Sequence, residues 1–150
     1  MLVSISLQHY FTVHLHMKIF GVIVALVFIL TACNSTNKKI KEKISNADSI
    51  VINYFRGDGS MDTVIAVKIV RDRKQIDLLS SMISASSAKP NLKCGYDGSL
   101  HFFKKNLVVQ DIDFRMNETA CSFFSFKQEG NIAATILSPD AKLLLENLKK

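Results

Sequence analysis

The chain predicts an α+β domain of two layers, an antiparallel sheet of about six strands with two helices on one face, in the order β-β-α-β-β-β-β-α. Three observations lead there. Short runs rich in β-branched and aromatic residues recur between small turn signals. Only two stretches of this domain carry apolar residues at helical spacing behind a capping residue. The last four runs follow one another through turns alone, which makes them an antiparallel meander.

In order, residues 49–56 (SIVINYFR) read as the first strand, and Gly57, Asp58 and Gly59 supply the permissive backbone of a turn. Residues 62–70 (DTVIAVKIV) return, completing a hairpin. Asp72 with Gln75 is a capping-box variant, and Ile76, Leu79, Met82 and Ile83 share one side of a helix over 73–84. The polar run SASSAKPN ends it, since Pro90 cannot continue a helix. CGYDG at 94–98 leads into a strand at 99–103, residues 104–106 turn the chain, and 107–115 returns. Strands at 121–127 and 132–137 follow, joined by Glu129, Gly130 and Asn131. Ser138 as N-cap with Pro139 at the first helical position opens a final helix, with Leu144, Leu145 and Leu148 inward and Lys149 and Lys150 at the negative end of its dipole.

The front of the chain is of a different kind. Residues 19–32 (IFGVIVALVFILTA) carry no charge and follow Lys18 directly. The run is shorter than the ~20 apolar residues a spanning helix needs, and it has the layout of a secretory signal peptide. Its end, Leu30-Thr31-Ala32-Cys33, resembles the lipobox of bacterial lipoproteins, an aliphatic residue, two small ones and a cysteine. The resemblance covers residues 17–33 and implies thioether acylation of Cys33, cleavage before it and fatty acylation of the freed amine. It is the pattern of small envelope lipoproteins such as those of Bacteroidota; the globular part resembles no family. Met17-Lys18 is an ordinary signal-peptide start, so residues 1–16 are expected to precede the true start, and cleavage discards His9, His14 and His16 in either case.

The expected organisation is therefore a signal peptide at 1–32, a lipidated cysteine with a polar Lys-rich tether at 33–47, and one domain at 48–150. The tether holds Lys38, Lys39, Lys41 and Lys43 against Glu42, half of the formal charge of +6, and a flexible chain of that length spans about 20 Å. Beside a lipid anchor those lysines suit anionic headgroups, and the run lacks the interleaved aromatics of a nucleic-acid surface. With Cys33 acylated, Cys94 and Cys121 remain as one pair in a compartment where disulfides persist. In the meander the strands they precede run parallel, two positions apart, which puts both cysteines at one end of the sheet.

Catalytic signals are sparse. His101 is the single histidine after Cys33, so any Ser-His-Asp or Cys-His site would be built on it, and as a strand residue it reads as solvent-facing or half-buried. One histidine and two paired cysteines leave too few ligands for zinc. Asp111 and Asp113 share one strand face with Arg115, a natural ion partner; Asp97 joins them as a catalytic set only if it converges on the pair. GDG at 57–59 lacks the spacing of a phosphate loop, and the sequon at Asn117 is expected to be chance. The aromatic content is the better lead, and Tyr96, His101, Phe103, Asp111 and Asp113 are the expected ligand surface. The expectation is a lipid-anchored, non-enzymatic binding domain of the envelope, without cofactor, whose partners are the membrane and an envelope protein or ligand rather than nucleic acid. The alternatives are an inhibitor or immunity-type lipoprotein and a small hydrolase. Asn34, rather than aspartate, follows the cysteine, which favours the outer membrane.

Overall fold

The computed structural model describes residues 35–56, 63–89, 92–116 and 121–150. The signal segment, the lipobox with Cys33, the turn at 57–59, Pro90 and the sequon at 117–119 lie outside the described residues. No helix among the described residues is long and apolar enough to cross a membrane.

One α+β unit spans Thr36–Lys150. Its elements are α1 (Ser35–Ile44), β1 (Ser49–Phe55), β2 (Val64–Val70), α2 (Arg73–Ile83), β3 (Ser87–Ala88), a 3-10 turn at Leu92–Cys94, β4 (Gly98–Lys104), β5 (Leu107–Arg115), β6 (Phe123–Gln128), β7 (Asn131–Ile136) and α3 (Pro139–Lys149). The sheet has seven antiparallel strands in the order β2-β1-β4-β5-β6-β7-β3. Six were expected; the seventh, β3, is two residues inside the stretch read as the polar exit of α2, where propensity carries no strand signal.

Period-two alternation sets the two faces of the sheet. Ile50, Ile52 and Tyr54 of β1 lie level with Phe102, Leu100 and Gly98 of β4, and Gly98 is level with Phe114 of β5 and through it with Phe124 of β6. These side chains are buried in one core with Ile40 and Ile44 of α1, Ile76, Leu79 and Ile83 of α2, and Ala141 and Leu145 of α3. A Cβ at Gly98 would fall 2.3 Å from both Asn53 O and Phe114 Cζ, so only glycine lets that ring lie across β4. The Tyr54 ring meets Phe114 edge-on, and its hydroxyl donates to Leu145 O at 2.7 Å; burial pushes the phenol up to about 12.

The segment expected as a tether is instead α1. Ile40, Ile44 and Ala47, spaced by four and three, form a stripe that is buried in the core, while Lys38, Lys39 and Lys41 stay exposed. Composition hid this stripe because lysine fills the solvent side of the helix. Arg73 at the start of α2 secures the exit of α1: it donates to Ser45 O and, at 3.1 Å, to Ala47 O, and pairs with Asp77 one turn on. The domain boundary accordingly moves from residue 48 to residue 36.

Both helices read from capping signals start as expected. Asp72 Oδ1 accepts from Gln75 N at 2.9 Å, and Ser138 Oγ accepts from Ala141 N at 3.2 Å with Pro139 following. The β4–β5 hairpin turns on Lys105 and Asn106, both at positive φ, and the β6–β7 hairpin on Glu129 and Gly130, also both positive. Two consecutive left-handed residues match the twist of the flanking strands.

Candidate functional site

The helices cover one face of the sheet, and the other is where the expected ligand residues gather. A single row crosses it through all seven strands: Val67, Asn53, Ser99, Asp113, Ser125, Ala134 and Ala88 stand level from β2 to β3. The next row holds Ile69, Val51, His101 and Asp111. On β1 and β4 these residues have the parity opposite to the core side chains, so the polar centre of this face follows directly from alternation.

One half of this face is closed. After β3 at the far edge, the chain returns to β4 at the centre of the sheet, and residues of this return pack over β5 and β6. Tyr96 lies edge-on to Phe123, with centroids 6.2 Å apart, and its hydroxyl accepts from Ser125 Oγ at 3.2 Å. Asp97 Oδ1 accepts from Arg115 Nη1 at 2.8 Å and Asp97 Oδ2 from Met116 N at 2.7 Å, in a pair whose side chains are 2 % and 7 % exposed. Arg115 was expected to partner Asp111 and Asp113; Asp97 takes it instead, because a buried guanidinium needs a buried carboxylate. Asp97 therefore does not join Asp111 and Asp113. Cys94 and Cys121 pin the same return, with Sγ atoms at bonding distance, 2.08 Å, and Cα atoms 6.0 Å apart.

The open half carries a hydrogen-bonded chain across three strands. His101 Nδ1 lies 2.6 Å from Asp111 Oδ1, and His101 Nε2 lies 3.0 Å from both Ser99 Oγ and Asn53 Nδ2. An amide nitrogen can only donate, so Nε2 carries the lone pair, and Nδ1 carries the proton that Asp111 accepts. The order Ser99, His101, Asp111 is that of a nucleophile, base and orienting acid. Two features favour a structural clamp over a reactive serine. Ser99 is only 6 % exposed, and its strand lies between β1 and β5, where backbone N–H groups serve the ladders rather than a developing oxyanion.

Beside this clamp is a cavity of about 270 Å³ walled by Tyr96, Asp111, Asp113, Ser125, Lys127 and Ile132. It exists because β5 and β6 pair only from Asp113–Ser125 to Arg115–Phe123. Beyond that point the strands part, and the Gln110 side chain spans the gap, its Nε2 donating to Asp111 O at 2.8 Å and to Lys127 O at 3.5 Å. The half-buried Asp113 carboxyl is raised above the ordinary carboxylate value by burial, an effect that His101 opposes and neighbouring Asp111 reinforces.

Of the five expected ligand residues, Tyr96, Asp111 and Asp113 line this cavity, and His101 is bonded to Asp111. Phe103 is on the same face but farther along β4, level with Ser49 and Val108. Asn53, Ser99, Ser125 and Lys127 escaped sequence reasoning. Parity places Asn53 and Ser99 off the core side of their strands, but only the register joins them to His101. Among the described residues no group of three His, Cys, Asp or Glu side chains is placed to hold a metal ion. A larger cavity, about 530 Å³, lies at one end of the sheet between Phe55, Arg56, Asp97, Met116 and the last turn of α3. Arg56 and Met116 lead from it into residues outside the description. No protein-family model matches the chain, and neither a curated protein nor a solved structure does.

Proposed function

We propose that the chain is an exported lipoprotein, acylated on Cys33 and held at the outer membrane, whose domain binds a small polar ligand or a partner's polar side chain in the cavity beside Asp111 and Asp113, without catalysing a reaction. The observation that carries the binding reading is the convergence of Tyr96, Asp111, Asp113, Ser125 and Lys127 on one cavity of about 270 Å³ on the sheet face opposite α1, α2 and α3. Opposite charges and two hydroxyl groups beside the apolar side chain of Ile132 suit a ligand with both a donor and an acceptor end. Asp113 is held ready for it, since a carboxyl destabilised by burial gains most from a hydrogen-bond donor or cation brought against it.

The lipobox and the Cys94–Cys121 pair support export. The fold sharpens the anchor: Cys33 precedes the first residue of α1 by only two positions, so acylation would hold the domain close to the bilayer without a long tether. The exposed lysines of α1 would then add attraction to anionic headgroups.

The test has two arms. For the anchor, Cys33→Ala is expected to accumulate unprocessed precursor and to abolish labelling by a clickable fatty acid; an unchanged mature mass overturns the lipoprotein reading. For the site, partners and ligands recovered from solubilised envelope by the wild type are compared with those of Asp111→Asn/Asp113→Asn. Loss of a recovered component in the variant supports the cavity, and full recovery of every component overturns it. A recovered enzyme whose activity falls on binding would identify the inhibitor alternative.

A further inference from the structure

One end of the sheet combines an apolar tip with free basic charge. The β4–β5 hairpin turns there, and Lys104, Lys105, Asn106, Leu107 and Val108 at its tip are all exposed. Leu107 is 71 % exposed, the highest value for a large apolar side chain among the described residues, and Val108 beside it is 50 % exposed. The tip is fixed to the exit of α1: Asp48 N donates to Phe103 O at 2.7 Å, and Asp48 Oδ2 accepts from Lys105 N at 2.7 Å. The helix itself lies along the same end, since Lys39 Nζ pairs at 2.6 Å with Glu129 in the β6–β7 turn, and Lys43 Nζ donates to Gln110 Oε1 at 3.4 Å. Lys38 and Lys41 of α1, with Lys104 and Lys105 of the tip, are exposed and have no ion pair among the described residues. Of the acidic side chains at this end, Asp48 and Glu129 are already engaged by Lys105 N and Lys39.

We propose that this end of the domain docks on an anionic lipid surface, with Leu107 and Val108 in the headgroup boundary and Lys38, Lys41, Lys104 and Lys105 against the headgroups. The proposal rests on the acylation of Cys33, which selects a bilayer over another acidic surface. Cys33 stands two positions before Ser35, so an acylated chain holds the start of α1 within about 7 Å of its anchor. The ten residues of α1, about 15 Å of helix, join that start to the tip, which is therefore within reach of the same bilayer. The side chains suit that surface. Apolar groups gain from burial at the acyl boundary, and lysine stems reach back from it to the phosphates. A nucleic acid would use the lysines and leave Leu107 and Val108 in water. Docked by its strand ends, the sheet stands upright on the bilayer, and the cavity beside Asp111 and Asp113 opens sideways from a sheet face rather than into the lipid.

The chain contains no tryptophan, so a single introduced tryptophan reports its own position. Full-length Leu107→Trp, expressed with its own leader and purified from membranes in detergent, is reconstituted into vesicles of phosphatidylcholine with phosphatidylglycerol and into vesicles of phosphatidylcholine alone. In the anionic vesicles its emission is expected to shift to the blue and to be quenched by lipid brominated in the acyl chains; without the anionic lipid both effects are expected to weaken. Leu143→Trp, exposed on α3, whose last turn lies by Phe55 and Met116 at the other end of the strands, is expected to stay unquenched. Adding Lys104→Glu/Lys105→Glu to the Leu107→Trp chain is expected to lower the ratio of docked to undocked chains about tenfold or more. Unchanged circular dichroism and an intact Cys94–Cys121 bond show that each variant is folded.

An unquenched Leu107→Trp in anionic vesicles overturns the inference, as does equal quenching at positions 107 and 143 or indifference to Lys104→Glu/Lys105→Glu. A shift produced by polyglutamate in solution but not by vesicles assigns the tip to an acidic protein and overturns it as well. The intact mass of the same samples reads acylation of Cys33 separately. A chain without acyl groups refutes the anchor, while the quenching, in a chain that then keeps residues 19–32 as its hold on the vesicle, still decides whether the tip docks.

Discussion

On the helix side of the sheet, Tyr54, Phe102, Phe114 and Phe124 are fully buried beneath three helices, and the one polar group among them, the Tyr54 hydroxyl, is satisfied by Leu145 O. None of the three α-helices among the described residues lies on the other side. A disulfide-pinned return closes half of the surface, and a polar chain from Asn53 to Asp111 holds the open half in register. The same strands supply both sides, so the contrast is one of alternation and cover rather than of composition. It teaches how cover divides the sources of stability between the two faces of one sheet. The helix side is apolar and buried, where lost volume is costly. The open side holds half-buried charge that a ligand can reach, and its stability rests on a covalent link and on hydrogen bonds.

The largest expected effect tests how far the helix side extends. Ile44→Ala removes a fully buried side chain from α1 and should destabilise the domain by about 2–5 kcal/mol in urea or thermal unfolding. If residues 34–47 were a solvated tether, the same change would leave stability within about 0.5 kcal/mol of the wild type.

The next effect belongs to the open side. Replacing Cys94 and Cys121 together with alanine should cost about 2–4 kcal/mol, because a link across 27 residues no longer restrains the unfolded chain. Hydrogen exchange should rise at Tyr96 and Ser125 while the amides of α3 stay protected relative to global unfolding. Equal loss of protection on both sides would contradict the separation.

The smallest effect has the opposite sign. The Asp113 carboxyl is raised in the folded state above its ordinary value of 3.8, so the folded chain binds this proton more tightly than the unfolded chain does. Stability from this group is therefore lost as pH rises through the interval between the ordinary and the raised value, and it stays lost at neutral pH. Asp113→Asn should raise the melting temperature modestly at pH 7, and the gain should vanish below the ordinary carboxylate range. A loss of stability at pH 7 would show that the carboxylate already has a partner that burial alone does not account for.

Much of this arrangement was legible in the chain. The β-branched and aromatic runs SIVINYF and SLHFF marked two strands, and with the second His101 as a solvent-facing or half-buried strand residue. The caps at Asp72 and Ser138 marked the helix starts because a side-chain oxygen there satisfies an otherwise unpaired backbone N–H. The meander argument put Cys94 and Cys121 at one end of the sheet, and they are at bonding distance there. Local signals sufficed in these cases because the interactions responsible lie within a few residues or follow from strand order.

The rest required distant parts of the chain. The helix α1 was concealed by its lysines, and only the core that receives Ile40 and Ile44 distinguishes it from a tether. Arg115 paired with Asp97 rather than with the nearer aspartates, because the return over the sheet buries both partners of that pair. The parting of β5 and β6 that opens the cavity and the meeting of Asn53, Ser99, His101 and Asp111 depend on register between strands up to 58 positions apart in the chain. The sequence by itself determined which residues face each side of the sheet. The tertiary structure decided which of them meet, because pairing energy between strands depends on partners that no local pattern records.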